Sequence, residues 1–262
     1  MMTFDELPLV FFTTFSQIAI GAFLFLTILE ARESLERNTV RFCTVVIFFF
    51  AVLSMACSTA HLGDPTGGWR ALLGLGHSWL SREILGISTF CGMVVLYFLT
   101  TEKPSLHRLV GIVGSVAGLL SMLSTSLVYT LPARPAWDSP FPLLFFLLTT
   151  FAAGPALLQF LLTRKKQAVH IPLPRLISVV LIAGIIVSIA YSVTQAESLV
   201  LPTSWLVLRI LIGAILPILL LAKMHVQNTA ARSLFAFLLI TAGELLGHQI
   251  FYASVVPFPL FH

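Results

Sequence analysis

Apolar residues fall in eight long runs, near 7 to 29, 42 to 60, 84 to 101, 109 to 131, 141 to 163, 176 to 196, 203 to 222 and 233 to 256, with polar residues collected between them. A helix of ~20 residues crosses the hydrocarbon layer, so each run has the length of a transmembrane segment. Lipid offers no water to backbone N–H and C=O groups, and only helices or closed barrels satisfy those groups internally. The runs lack the alternation of apolar and polar positions that a barrel strand shows. The pattern therefore predicts an all-α integral membrane protein, a bundle of about eight transmembrane helices forming a single domain over 1–262. No internal repeat is discernible.

Composition sharpens this picture. Hydrophobic residues make up 58% of the chain and charged residues 10%, against roughly 25% charged in soluble domains. The mean hydropathy is +0.99. The formal charge of +4 resides in the links, where it sets topology and makes nucleic acid a poor partner. Links after the first, third, fifth and seventh runs carry Arg32, Arg37, Arg41, Lys103, Arg108, Arg164, Lys165, Lys166, Arg175, Lys223 and Arg232, whereas the other side carries Arg70, Arg82 and Arg134. Basic links prefer the cytoplasm, so both termini are expected on the outer face. The acidic start, Asp5-Glu6, lacks the basic opening of a cleaved signal peptide, and the first run is expected to remain as a helix.

Cys43, Cys57 and Cys91 lie singly within apolar runs, without the spacing of a disulfide framework, metal knuckle or haem attachment. His77, His107, His170, His225 and His262 are placed in links or at the terminus, where solvated histidines are common; only His248 falls deep within a run. Bis-histidine haem ligation is thus disfavoured, and no haem, metal or iron–sulfur cluster is expected in this chain. Trp69, Trp79, Trp137 and Trp205 fall near the outer ends of the runs, as an interfacial belt would.

The outer link from His61 to Ser81 is the most informative stretch. It opens His61-Leu62-Gly63-Asp64-Pro65, and Glu83 stands where the third run begins. Further landmarks are Leu7-Pro8-Leu9 with Phe15 and Gln17, Gly154-Pro155, Gln195-Ala196-Glu197, Trp205, Arg209, and Ala242-Gly243-Glu244-Leu245 with Gly247, Phe251 and Tyr252. In their order and spacing these motifs, covering nearly the whole chain, resemble the membrane-anchor subunits of the dimethyl sulfoxide reductase type. The resemblance implies an eight-helix, quinol-oxidising anchor in the bacterial inner membrane, with both termini periplasmic. It also implies partners at the periplasmic face: a four-cluster, ferredoxin-like iron–sulfur subunit and, through it, a molybdopterin catalytic subunit. The substrate would be menaquinol, leaving as menaquinone. The family's quinol-site His and Glu correspond to His61 and Glu83, with Gln17, Gly63 and Trp69 as further quinol-binding candidates.

Those residue types suit the chemistry. Oxidising a quinol releases two protons with two electrons, so proton acceptors must reach its hydroxyls. An imidazole titrates near working pH, and a partly desolvated carboxylate at the membrane edge can serve as second acceptor or as relay to outer water. Asp64 and Arg82 are weaker supporting candidates. The structural alternative is that His61 merely ends the second helix and Glu83 occupies the first turn of the third, favoured there by the helix dipole.

Ionisable residues within the runs are costly in lipid. Arg209 is expected about 9 Å, and Glu244 about 18 Å, inside the outer ends of their helices. With His248, where the family usually carries Arg, they form a candidate intramembrane polar network: an ion pair that locks helices together, or a proton path. Two other readings remain: a polysulfide reductase-type quinol anchor, and a proton-coupled transporter built on Arg209, Glu244 and His248. A transporter is expected to show repeats or broken helices around a midplane site, and the sequence shows neither clearly.

Overall fold

The computed structural model describes residues 7–61, 70, 73–132, 137–195, 202–223 and 229–254, with His61 described by its backbone alone. Eight helices among the described residues are long and apolar enough to cross a membrane, and no strand occurs among them. They are α1 (Leu7–Arg32), α2 (Arg37–His61), α3 (Trp79–Leu99), α4 (Pro104–Val128), α5 (Phe141–Arg164), α6 (Leu173–Thr194), α7 (Thr203–Ala222) and α8 (Ala230–Ala253).

Local sequence sets the helix starts. Ser78 caps α3 by accepting from the Ser81 N–H, and Thr229 caps α8 by accepting from the Arg232 N–H. Proline lies in the first turn of α4, α5 and α6, where its missing N–H has no intrahelical partner to lose. Within α7, Leu211–Ile215 widens into a π-helical turn. Pro217 follows and has no N–H to return to the Gly213 carbonyl, so the local register is relaxed at that point.

Helices α1 and α5 are the most enclosed spans. Their backbones touch: a Cβ on Gly21 would lie 1.9 Å from the Thr150 carbonyl oxygen, and one on Gly154 would lie 2.6 Å from the Ala22 nitrogen. A second close crossing joins α7 to α8, where a Cβ on Gly243 would sit 2.1 Å from the Gly213 Cα. Small residues let helices approach this closely in lipid, where dispersion contacts rather than water exclusion favour association. Phe23 packs edge-on against Phe90 and Tyr97, tying α1 to α3. The outer spans turn Val45, Phe49, Val179 and Val193 away from the bundle, the surface that lipid covers.

Basic links gather at one end. Arg41 and Arg37 both pair with Glu102, the former at 3.0 Å, joining the start of α2 to the α3–α4 link. Glu33 accepts from the His170 and Ile171 backbone N–H groups, joining the end of α1 to the α5–α6 link.

Candidate functional site

Helix α3 begins at Trp79, five residues before the start near 84 that the apolar run predicts. Glu83 therefore lies in the second turn, 3% exposed, and not in the first turn where a dipole role is available. Its Oε1 accepts a 2.9 Å hydrogen bond from Thr125 Oγ1 on α4. Ser121 Oγ donates to the Glu83 carbonyl oxygen at 3.4 Å. This close α3–α4 approach depends on Gly86, whose added Cβ would stand 2.9 Å from the Ser121 Cβ. Buried Tyr252 on α8 lies within electrostatic reach of the same carboxylate.

Helix α2 ends at His61, and its register against α3 can be counted. Cys91 Sγ meets Met55 Sδ at 3.4 Å, while Arg41 meets Glu102 at 3.0 Å, so the two helices run antiparallel. Six residues from Met55 reach His61, and six in the opposite sense from Cys91 reach Leu85. The His61 backbone thus stands about 3 Å along the axis from the level of Glu83. Gly63, Asp64 and Trp69 lie outside the described residues, as does Glu197. At the far end of the link, Arg82 donates to the Leu75 and Gly76 carbonyls at 3.1 and 3.0 Å and covers the Trp79 ring, tying the link to α3.

A second polar group occupies the junction of α1, α5 and α8. Thr14 Oγ1 and His248 Nδ1 are hydrogen-bonded at 2.7 Å. Gln17, one turn further along α1, is 1% exposed, and neither amide atom has a hydrogen-bond partner among the described residues. His248 Nε2 is likewise unpartnered there. One turn back along α8, Glu244 Oε2 accepts from Thr149 Oγ1 at 2.7 Å and lies 3.7 Å from Arg209 Nη2. Arg209 also donates to Ser188 Oγ at 2.8 Å and passes over the Phe145 ring. Because α8 ends at Ala253, Glu244 lies about 14 Å from its C-terminal end rather than about 18 Å, nearer the depth of Arg209. The Arg209–Glu244 pair is thus drawn together, while His248 bonds α1 instead of joining it directly.

Two expectations from the sequence are corrected. Trp137 is buried, stacked on Phe251 with its Nε1 donating to the Phe251 carbonyl at 3.2 Å, and is not part of an interfacial belt. Trp79 is exposed and Trp205 half-buried. His107 is not a solvated link residue: α4 starts at Pro104, and the imidazole is buried against the Tyr97 ring with Nε2 3.0 Å from Glu30 Oε2. Tyr97 donates its hydroxyl to the same carboxylate oxygen. This Glu30–Tyr97–His107 cluster escapes a hydropathy reading because the apolar run of α1 ends at Leu29 and that of α4 begins at Leu109. Pro104, a frequent first-turn residue, is the available signal. Among the described residues no three His, Cys, Asp or Glu side chains converge as a metal site requires.

Residues 1–254 match the family model of the DMSO reductase anchor subunit (DmsC). This protein belongs to that family. It is 27% identical over 262 residues to the C subunit of the anaerobic dimethyl sulfoxide reductase of Haemophilus influenzae, with 94% of each sequence covered. The C subunit of the Escherichia coli anaerobic dimethyl sulfoxide reductase is 28% identical over 271 residues, again with 94% of each covered. The Escherichia coli anaerobic dimethyl sulfoxide reductase subunit YnfH is 26% identical over 270 residues, with the same coverage. With eight apolar helices, this anchor subunit is a multi-pass membrane protein.

Proposed function

We propose that this anchor subunit oxidises menaquinol at the end of the bundle where α2 closes and α3 opens, and passes the electrons to an iron–sulfur subunit that serves a molybdopterin catalytic subunit. The observation that carries the reading is the burial of the Glu83 carboxylate against Thr125, level with the His61 end of α2. A buried carboxylate in lipid is costly and needs a compensating role. Here it would take a proton.

Menaquinol gives up two electrons and two protons as it becomes menaquinone. The electrons leave to the iron–sulfur subunit. His61 accepts the first hydroxyl proton, and Glu83 accepts the second or relays it to outer water. Gln17 would offer its unpartnered amide to a quinol oxygen, and Gly63 and Trp69 would be further quinol contacts. The strong bias of basic residues to the opposite links supports placing the Glu83 end on the periplasmic side of the inner membrane, with the partner subunits docked there. The catalytic subunit, not this one, selects the terminal acceptor.

Replacing His61 by Ala or Glu83 by Gln is expected to abolish menaquinol-driven reduction of the acceptor, while reduction driven by an artificial dye at the catalytic subunit persists. Quinol-driven turnover at the wild-type rate in both variants would overturn the assignment.

A further inference from the structure

A cavity of about 620 Å³ opens between α1, α3 and α4. It lies at the end of the bundle opposite Glu83, around Tyr97, which stands about 21 Å further along α3. Its walls change character along its length. Toward mid-span it is lined by Leu24, Ile28, Ile112, Val116 and Leu119, and exposure of Ile28, Ile112 and Val116 opens this part to lipid. Toward the membrane surface it is lined by Glu30, Tyr97 and His107, with Arg37 and Arg108 at the rim.

The head of the cavity presents one unsatisfied charge of each sign. Glu30 Oε2 takes both internal hydrogen bonds, from Tyr97 and His107, while Oε1 has no partner among the described residues and the side chain is 29% exposed. Arg37 is engaged by Glu102, whereas exposed Arg108 has no side-chain partner among the described residues. An apolar channel open to lipid, headed by a free carboxylate oxygen and a free guanidinium, has the charge pattern of a zwitterionic lipid head above an acyl chain.

We propose that this cavity holds one phospholipid bearing a primary ammonium. The ammonium donates to Glu30 Oε1, the phosphate meets Arg108, and one acyl chain lies along Ile28, Ile112 and Val116. A primary ammonium carries N–H donors that complete the carboxylate, and the guanidinium suits phosphate. A quaternary ammonium has no N–H to give, and the glycerol end of an anionic head, with its phosphate on Arg108, carries no positive charge to offset that of Glu30. This site is independent of the quinol reading.

The test is native mass spectrometry of the full-length protein with its bound subunits, taken from nanodiscs of equal phosphatidylethanolamine, phosphatidylcholine and phosphatidylglycerol. One phosphatidylethanolamine is expected to stay bound at least fivefold more often than either other lipid. Glu30→Gln and, separately, Ile112→Trp, which fills the channel from its lipid side, are each expected to lower that retention at least fivefold. Val179→Trp, on the lipid-facing side of α6, leaves it unchanged. If Glu30→Gln fails to assemble, Ile112→Trp decides alone. Equal retention of the three lipids, phosphatidylglycerol or menaquinone held in place of phosphatidylethanolamine, or retention that survives Ile112→Trp would each overturn the proposal.

Discussion

Arg209 on α7 and Glu244 on α8 form an ion pair, Nη2 to Oε2 at 3.7 Å, with both side chains under 10% exposed. Each ion has a further partner, Ser188 for the guanidinium and Thr149 for the carboxylate, so four helices converge on two charges. Gly247 makes room for this: a Cβ there would stand 2.4 Å from Arg209 Nε. Removing one member of a buried pair leaves the other charge uncompensated, at a cost of about 3–5 kcal/mol, whereas replacing both is far milder. Arg209→Met or Glu244→Gln alone is expected to lower the thermal midpoint and the yield of assembled protein sharply. The double variant is expected to recover most of both, as read by unfolding in detergent.

The α1–α5 crossing yields a contrast between glycines. Gly21→Ala forces a Cβ toward the Thr150 carbonyl oxygen, an atom that cannot move without its helix, so a loss of about 1–3 kcal/mol or more is expected. Gly184→Ala places its Cβ where nothing lies within 4 Å, and a change within about 0.5 kcal/mol is expected. Thermal unfolding of the two variants side by side checks this.

Thr125 offers a milder probe of the proposed proton acceptor than Glu83 itself. Thr125→Val keeps the shape of the α3–α4 contact and removes the hydroxyl that donates to Glu83. A hydrogen bond to a charged group contributes about 1.5–3 kcal/mol, so quinol-driven turnover is expected to change about tenfold or more while dye-driven turnover holds. The pH dependence of the quinol-driven rate is expected to shift with it. An unchanged rate and profile would separate Thr125 from the chemistry.

Glu33, just past α1, links two basic-side connections. Burial alone would push its carboxyl up, but the backbone N–H donors of His170 and Ile171, with the His170 ring beside them, outweigh burial and hold it below the usual carboxylate range. A carboxyl held low in the folded state adds stability that is fully present above its unfolded value, about 4.3. That stability is lost as pH falls through the lower folded value. Unfolding of wild type and Glu33→Gln from pH 3 to 7 is expected to differ above pH 5 and to converge in acid.

The apolar runs locate all eight spans because lipid demands ~20 residues of internally bonded backbone, a requirement written along the chain. Starts are less legible where polar residues enter the first turns. Trp79-Leu80-Ser81-Arg82 reads as a link, yet Ser78 caps it into α3 and buries Glu83 one turn deeper. Pro104 to Arg108 reads as a link as well, which leaves His107 looking solvated when it is buried.

The sequence by itself determined that this protein lives in a membrane, how often it crosses, and which links share an end, since hydropathy and charge act residue by residue. Tertiary structure alone decided the pairings. Glu30, Tyr97 and His107 come from three helices, Arg209 and Glu244 from two more, and Thr14 meets His248 across almost the whole chain. A buried polar atom must find a partner wherever packing places one, and helix rotation, the glycine crossings at Gly21–Gly154 and Gly213–Gly243, and the end of α8 at Ala253 select which partner that is.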